Sequence, residues 1–322
     1  MPALLRCKIG TRGSPLALWQ AEWVGAALRS LHPDLAWEVV KIRTLAEKFP
    51  EREAAEIGIG IFTRELDEAL LRGEIDLAVH SLKDVPTEVS SELVIAAVPE
   101  RESPLDAFLS RDGTPLDELP RGAQIGTGSP RRRAQLLHRR PDLKVVPLRG
   151  NVQTRLRKMK ELGLSGTILA HAGLKRLSEE GQITEVLSAA VLVPAVAQGA
   201  LGIMARLDAT EIRQALQALE HPPTRLRVLA ERSFLRALRG GCLVPAGALA
   251  WIDRDSKSGP LSPEGRVERL KIVGLVAAPD GSACVRREIS GSLKEAESLG
   301  TRLAQEVLDG GGAKILGSLR PA

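Results

Sequence analysis

Short apolar segments alternate with amphipathic segments along the first 200 residues of the chain. The apolar segments have the length of buried strands, whereas the longer segments repeat their apolar positions every three or four residues, as helices do. Strands that alternate with helices favour βαβ units and a mainly parallel sheet. The pattern predicts strands over 5–11, 37–44, 75–79, 93–98, 124–127, 144–148 and 166–170, and helices over 15–31, 62–72 and after Ser129 and Asn151.

Two proline-containing breaks indicate domain boundaries. Residues 99–108 place Pro99 and Pro104 among charged residues, so we expect a hinge there. After His221-Pro222-Pro223 the pattern changes to a helix, strands over 243–252, 267–277 and 283–289, and a helix over 294–308, which predicts an α+β domain. The predicted organisation is two α/β domains around a cleft, 1–98 with 197–218 and 99–196, followed by a C-terminal α+β domain, 219–322.

Composition restricts the kinds of partner. The 322 residues suit two or three domains, and 43% hydrophobic with 26% charged residues is ordinary for a globular protein. With 4 Trp, 4 Phe and no Tyr, the chain has few rings on which bases stack, so we expect no nucleic-acid partner. Arginine supplies 33 of the 45 basic residues, and its planar fork pairs with carboxylate or phosphate. A GC-rich genome also enriches arginine, so a functional argument depends on individual positions.

Cysteine and histidine do not indicate a metal site. Cys7, Cys242 and Cys284 are too few and too scattered for a disulfide framework, and the five His lack paired spacing. We therefore expect no bound metal. The first fifteen residues lack the apolar segment of a signal peptide, which predicts a cytoplasmic protein without a membrane partner.

Two similar turns each close a strand and open a helix, at 10–15 and 126–130. In both, a serine can cap the helix and a proline occupies its first turn. The free N–H groups of a helix N-terminus attract anions, and ligands of open α/β sheets bind beyond the carboxyl ends of the strands. Six arginines stand at or just after such strand ends: Arg12, Arg131, Arg132, Arg149, Arg155 and Arg176. The pattern predicts a polycarboxylate or polyphosphate ligand.

Two loops carry reactive side chains. Ser81, Lys83 and Asp84 follow a predicted buried strand, and an aspartate beside a lysine either stabilises a developing cation or forms an ordinary ion pair. Cys242 follows two glycines, so it is either an exposed nucleophile or attachment point, or a packing residue. His80, between apolar residues, is predicted to be a core histidine with satisfied hydrogen bonds.

Several segments, in this order, resemble the porphobilinogen deaminase (hydroxymethylbilane synthase) family over nearly the whole chain. They are TRGSPLALWQ at 11–20, AVHSLKDVP at 78–86, IGTGSPRR at 125–132, LRGNVQTR at 148–155, AGLKR at 172–176, and GGC at 240–242 with VP at 244–245. The resemblance implies a transferase of tetrapyrrole (haem) biosynthesis that condenses four porphobilinogen molecules head to tail. Ammonia would leave at each condensation, and hydrolysis would release hydroxymethylbilane.

The resemblance also implies two domains like periplasmic binding proteins, a monomeric state, and a dipyrromethane cofactor thioether-linked to Cys242. Each pyrrole carries an acetate and a propionate, so the growing chain is a polycarboxylate that suits converging arginines. By resemblance Asp84 is the catalytic residue. The cofactor-binding residues would be Cys242, Lys83, Ser81, Thr127, Ser129, Arg131, Arg132 and Gly150, and the substrate-binding residues Arg12, Ser14, Arg149, Arg155 and Arg176.

The chain departs from the family pattern in a predicted mobile lid (43–60) and near the cysteine. Ile57-Gly58-Ile59-Gly60 stands in place of Gly-Gly-Lys-Gly, and Thr44-Leu45-Ala46 in place of an Arg-Gly-Asp-like run. Other differences are Arg239 for an acidic residue, Leu243 for glutamine, Ala197 and His171. These changes concern lid motion, rate and product release rather than the reaction type. The alternative is a non-catalytic binding protein for organic acids on the same fold, which gives Cys242 no role.

Overall fold

The computed structural model describes residues 6–44, 63–239, 244–254 and 268–319. The strands are β1 (Arg6–Thr11), β2 (Ala36–Lys41), β3 (Leu77–Ser81), β4 (Leu93–Ala97), β5 (Asp106–Ser110), β6 (Gln124–Gly126), β7 (Lys144–Val146), β8 (Gly166–Ala170), β9 (Glu185–Leu187), β10 (Leu201–Arg206), β11 (Ala246–Asp253), β12 (Arg269–Ala277) and β13 (Cys284–Gly291). The helices are α1 (Pro15–Leu31), α2 (Arg64–Leu71), α3 (Pro130–Arg139), α4 (Val152–Glu161), α5 (His171–Arg176), α6 (Thr210–Gln217), α7 (Pro222–Ala237), α8 (Ala296–Val307) and α9 (Ala313–Gly317).

The chain forms two compact units. The first comprises Met1–Glu102 and Gly199–Arg225, and the second comprises Ser103–Gln198 and Leu226–Ala322. The chain therefore passes from one unit to the other after Glu102, after Gln198 and within α7. The division into three domains stays a prediction.

The first unit is built on a five-stranded sheet of order β2-β1-β3-β10-β4. β1 pairs in parallel with β2 and β3, whereas β10 runs antiparallel to both of its neighbours. Helix α1 begins at Pro15, because Ser14 caps it, and buries Ala21, Val24 and Leu28 in the core of this sheet.

The second unit repeats this plan in a sheet of order β7-β6-β8-β5-β9. β6 pairs in parallel with β7 and β8, and β5 runs antiparallel to β8 and β9. In each sheet the fourth strand in spatial order, β10 in the first and β5 in the second, runs antiparallel to both of its neighbours. The aliphatic core of this sheet includes Ile125, Leu136 and Ile168, with Phe108 of β5 fully buried among them.

The C-terminal part of the second unit is a three-stranded antiparallel sheet of order β11-β12-β13, against which α8 packs. Several hydrogen bonds tie this sheet to the α/β part of its unit, among them the following two. The amide of Ala248 donates to the carbonyl of Pro194 at 3.1 Å. His138 Nδ1 donates to the carbonyl of Gly281 at 2.9 Å.

The predicted class, α/β with a C-terminal α+β part, is confirmed. The two α/β sheets are mixed rather than mainly parallel, because two of the four strand pairings in each are antiparallel. The hinge predicted over 99–108 is too long, because β5 begins at Asp106, lies between two strands and buries its first four residues. The prolines and charged residues around it hid a strand that is only five residues long.

Candidate functional site

The first turn predicted to bind anions lies at the end of β1. Thr11 is buried and its hydroxyl donates to the carbonyl of Ala17 at 3.0 Å, which ties the strand end to the first turn of α1. Ser14 Oγ accepts from the amide of Ala17 at 3.3 Å, which is the cap that the sequence predicted. Arg12 stands half-buried between these two residues.

The segment from Ser81 to Asp84 is held at the end of β3. Leu82–Asp84 forms a short 3₁₀ turn whose Leu82 is fully buried and donates its amide to the carbonyl of Ala200 at 3.0 Å. Gly202 of β10 allows this packing, because a Cβ there would lie 2.7 Å from Cδ1 of Leu82. Lys83 and Asp84 are half-buried. A buried leucine therefore holds two flanking charged residues at the surface of the unit.

These two segments meet in one pocket. It spans about 390 Å³, counting the part open to solvent. Its polar lining consists of Arg12, Ser14, Gln20, His80, Ser81 and Asp84. The structure thus brings together four residues that the resemblance singles out, Arg12, Ser14, Ser81 and Asp84. Gln20 was not predicted; its place on the buried face of α1, where a polar residue needs a partner, was the available signal.

His80 is buried as predicted, with 4% of its surface exposed. The prediction that its hydrogen bonds are satisfied is wrong, because Nε2 has no partner among the described residues. Burial, together with the nearby charge of Arg12, lowers the pKa of His80 to about 4. The ring is therefore neutral at physiological pH.

The second predicted turn lies between β6 and α3. Thr127 Oγ1 accepts from the amide of Ser129 at 3.2 Å, and Ser129 Oγ caps α3 by accepting from the amide of Arg132 at 3.4 Å. Gly128 sits against Arg149, because a Cβ there would lie 2.9 Å from Cγ of Arg149 and 3.0 Å from the carbonyl oxygen of Leu148. The structure thus brings Thr127, Ser129 and Arg149 together at one helix N-terminus.

Arg131 and Arg132, in the first turn of α3, are buried with 4% of each exposed. Nη1 of Arg131 donates to Oδ2 of Asp106 at 2.8 Å, and Nη2 of Arg132 donates to Oδ1 at 2.7 Å. Burial by itself would raise the pKa of Asp106, but the two guanidinium groups and the hydrogen bonds from Arg131 and Gln198 hold it well below its ordinary value. Sequence reasoning missed Asp106, whose partners lie 25 and 26 residues further along the chain.

The remaining predicted residues of this unit lie on α4 and α5. Asn151 caps α4, with its Oδ1 accepting from the amide of Thr154 at 2.8 Å, and Gly150 before it adopts a positive φ of 123°. A positive φ favours glycine, so Gly150 has a backbone reason to be there. Arg155 is half-buried on α4, and Arg176 is buried at the end of α5.

The cysteines differ in environment. Cys242 and the lid residues 45–60 lie outside the described residues. Cys7 is buried in β1, and burial followed by the charge of Asp76 raises the pKa of its thiol to about 12. Burial also raises the pKa of the partly buried Cys284. These two thiols are therefore protonated at neutral pH and behave as packing residues, as predicted.

The described part of the chain contains neither a candidate metal centre nor a membrane-spanning helix. Among those residues no group of three or more His, Cys, Asp or Glu side chains is arranged to hold a metal ion. Within the same ranges no helix has both the length and the apolarity needed to cross a membrane.

Fold and site together define a protein of two α/β units, each with a capped helix N-terminus and an arginine at a strand end. Comparison with known proteins is more specific. Residues 7–214 match the family model described as "Porphobilinogen deaminase, dipyromethane cofactor binding domain", and residues 225–309 match "Porphobilinogen deaminase, C-terminal domain".

Curated relatives match over nearly their full length. The chain is 49% identical over 313 residues to a porphobilinogen deaminase of Desulforudis audaxviator, covering 97% of each chain. It is 46% identical over 309 residues to that of Pelotomaculum thermopropionicum, covering 96% of this chain and 95% of the relative. The chain therefore belongs to the porphobilinogen deaminase family.

Two solved structures with a detectable similarity share less of their sequence with this chain. A TRAP periplasmic solute-binding protein from Desulfovibrio salexigens superposes with a TM-score of 0.40 at 9% identity, covering 68% of this chain and 73% of that one. The periplasmic VFT2 domain of Bordetella pertussis BvgS gives a TM-score of 0.39 at 17% identity, covering 66% of this chain and 84% of that one.

Proposed function

We propose that this chain catalyses the reaction of its family, the head-to-tail condensation of four porphobilinogen molecules to hydroxymethylbilane with release of ammonia. The observation that carries the proposal is the pocket in the first unit, where Asp84 shares one lining with Arg12 and Ser14. An anionic, pyrrole-containing substrate needs such a combination, since its carboxylates need a cation and its reacting end needs an anion.

Asp84 is proposed to assist the loss of ammonia from the substrate's aminomethyl group. The C–N bond breaks, its electron pair leaves with ammonia, and the positive charge is left on the methylene-pyrrole as an azafulvenium cation. The Asp84 carboxylate accepts a hydrogen bond from the pyrrole N–H and stabilises this cation, which is an electrostatic role in the transition state. The free α-carbon of another pyrrole then forms the new C–C bond and loses its proton. After the fourth condensation, the C–C bond that joins the first substrate's methylene group to the preceding pyrrole would break. The ring carbon of that pyrrole would regain a proton, and water would add to the methylene to give the hydroxymethyl group.

The arginines are proposed to bind the acetate and propionate groups. Arg12 and Ser14 would do so in the first unit, and Arg149, Arg155 and Arg176 in the second. A guanidinium group donates two parallel hydrogen bonds to one carboxylate, so each arginine fixes the orientation as well as the position of a pyrrole.

The second unit has the donors that a dipyrromethane would need. The Ser129 turn, the N-terminus of α3, and Arg131 and Arg132 form a site for carboxylates, and Gly128 lets the side chain of Arg149 lie against this turn. Residues proposed to hold the group are Ser81, Lys83, Thr127, Ser129, Arg131, Arg132 and Gly150. When bound, the group supplies the pyrrole to which the first substrate is joined.

Cys242 is proposed as the attachment point, through a thioether. Its flanking elements support this. The next strand, β11, begins at Ala246, and Gly247 packs against Arg131, because a Cβ there would lie 3.2 Å from Cδ of Arg131. The chain on the C-terminal side of Cys242 is thus in contact with an arginine proposed to bind the cofactor.

The test is the intact mass of the purified protein under denaturing conditions, alone and after addition of porphobilinogen, with ammonia release measured in parallel. We expect a mass excess of two condensed porphobilinogen units, which Cys242→Ala abolishes and the matched variant Cys284→Ala retains. A wild-type protein that gains no mass and releases no ammonia would instead favour the non-catalytic binding protein. We further propose a cytoplasmic monomer; sedimentation equilibrium would test the second part by giving the mass of one chain or of several.

A further inference from the structure

Asp106 is the first residue of β5 and is completely buried. Its carboxylate accepts four hydrogen bonds from side chains. Oδ2 accepts from Nη1 of Arg131 at 2.8 Å, and Oδ1 accepts from Nε and Nη2 of Arg132 at 3.0 and 2.7 Å. The fourth comes from Nε2 of Gln198 to Oδ1, at 3.0 Å. One side chain thus fixes the position of two guanidinium groups that are adjacent in sequence.

The charges of this cluster do not cancel. Arginine stays protonated in proteins, so Arg131 and Arg132 each carry a positive charge. The carboxylate of Asp106 between them is held in its ionised form. Two cations and one anion leave one positive charge, at a site where each arginine side chain is 5% exposed. The site lies in the first turn of α3, a helix of ten residues whose N-terminus adds positive potential. A buried net charge is costly unless it is paired, so the site favours one further anion.

The two arginines also keep donors for that anion. Nη1 of Arg131 is used twice, by Asp106 and by the carbonyl of Val193 at 2.7 Å, and no other nitrogen of this side chain has a hydrogen bond to a described residue. Arg132 uses Nη1 for the carbonyl of Ile168 at 2.8 Å, and one N–H on each of its terminal nitrogens has no partner within the described part of the chain. The bonds to Asp106 therefore orient both forks while leaving part of each unused.

Gln198 holds Asp106 from the other side. Its Nε2 also lies 2.9 Å from the carbonyl oxygen of Pro104 and 3.2 Å from that of Leu105. The segment Ser103–Gln198 of the second unit begins next to Pro104 and Leu105 and ends at Gln198. The hydrogen bonds of Gln198 therefore join the two ends of this segment. The orientation of Asp106 is thus set by β5 and by Gln198 together.

We infer that Asp106 is a positioning residue for cofactor binding: it orients Arg131 and Arg132 at the N-terminus of α3 so that the pair retains one positive charge and free N–H groups for a carboxylate of the dipyrromethane. This inference rests on the proposed function. If residue 106 acts only in stability, a negative charge at this position is sufficient. If it positions the two arginines, the length of its side chain matters as well.

The experiment compares apoproteins made in cells that produce no porphobilinogen. Porphobilinogen is added well below each protein's melting temperature, and intact mass is recorded against time. Asp106→Asn is expected to gain its adduct about 10- to 100-fold more slowly than wild type, the range seen when a residue that orients a binding group is removed. The matched control is Asp142→Asn, which removes a carboxylate paired with Arg140 at the other end of α3.

Asp106→Glu separates positioning from stability. It keeps the charge but adds one methylene at a fully buried position, so we expect a melting temperature lowered by the added volume. Loading, measured well below that temperature, is expected to stay slow; the variant also decides the matter where Asp106→Asn does not fold. Wild-type loading by Asp106→Glu, or by a folded Asp106→Asn, would overturn the inference and leave the proposed function intact. A wild-type protein that never loads would overturn both.

Discussion

The amide of Gln20 donates from Nε2 to the hydroxyl oxygen of Ser81 at 2.9 Å, although the two residues are 61 positions apart. Gln20 is buried on α1 and Ser81 ends β3, so this bond joins the helix that follows Arg12 to the turn that carries Asp84. Arg12 and Asp84 are thus held by two elements that are fastened to each other, and the pocket between them has a defined shape.

Asp84→Asn should keep the fold and remove most of the activity. Asparagine has nearly the same shape, but it lacks the charge proposed to stabilise the cation formed when ammonia leaves. Loss of one electrostatic group in an active site lowers kcat by about 100- to 1,000-fold. Single-turnover ammonia release measures the effect. The exposed Asp34 of the same unit provides the control, since Asp34→Asn should leave the rate unchanged, and an Asp84→Asn rate close to wild type would remove Asp84 from the mechanism.

Gly128→Ala should disturb the binding of carboxylates in the second unit. The added methyl group would lie 2.9 Å from Cγ of Arg149 and 3.0 Å from a backbone carbonyl, so the arginine has to move. Overpacking of this kind costs about 1–3 kcal/mol, which denaturant unfolding would detect, and KM should rise with it. Gly181→Ala is the matched control, because nothing lies within 4 Å of a Cβ at that position. Equal KM values for the two variants would contradict the placement of Arg149.

Gly281→Ala should weaken the attachment of the C-terminal sheet. Gly281 has a φ of 78°, and a Cβ there would lie 2.5 Å from the backbone of Leu137 and His138. Backbone strain of this kind costs about 1–3 kcal/mol before the clash is added. We expect a lower melting temperature, whereas Gly317→Ala, which has open space around it, should not show this loss. An unchanged melting temperature for Gly281→Ala would mean that the turn does not press on α3.

Stability should fall in mild acid because of His80. Its pKa is lowered to about 4 in the folded protein, compared with about 6.5 in the unfolded chain. The unfolded state therefore binds the proton first as the pH falls, so the contribution is fully present above pH 6.5 and is lost between about 6.5 and 4. At about 1.4 kcal/mol per pKa unit the loss in unfolding free energy is about 3 kcal/mol.

The prediction is checked by denaturant unfolding at several pH values. The unfolding free energy of His80→Met should change less with pH than that of wild type. NMR titration of the ring in the folded protein checks this directly, and a midpoint near 6.5 would contradict it.

The sequence predicted the elements that begin with a cap and carry a clear period. Helix α1 occupies the predicted residues, and β8 does so too, because Ser14 with Pro15 marks the start of the first and an uninterrupted apolar run defines the second. Strand β5 was missed for the opposite reason: its Asp106 resembles a loop residue until Arg131 and Arg132 are found beside it. Such a pairing depends on tertiary structure, and neither local propensity nor spacing encodes it.

The same contrast holds for the site. Helix caps are local, so the capped turns at Ser14 and Ser129 were predictable from five or six residues each. The contact between Gly128 and Arg149 joins two loops, and the unpartnered Nε2 of His80 depends on what surrounds it in three dimensions. Only the folded chain shows these relationships.

The positions of the antiparallel strands, β10 in the first sheet and β5 in the second, determine the order in which the two sheets can be completed while the protein is being synthesised. The second α/β sheet uses β5 to β9, which emerge as one uninterrupted stretch. The first sheet needs β10, which lies between β3 and β4 but is synthesised about a hundred residues after β4. A nascent chain that has just completed β4 therefore has a gap inside its sheet, with the open edges of β3 and β4 awaiting a partner. The N-terminal unit begins first and is completed only after the strands of the second α/β sheet have been made.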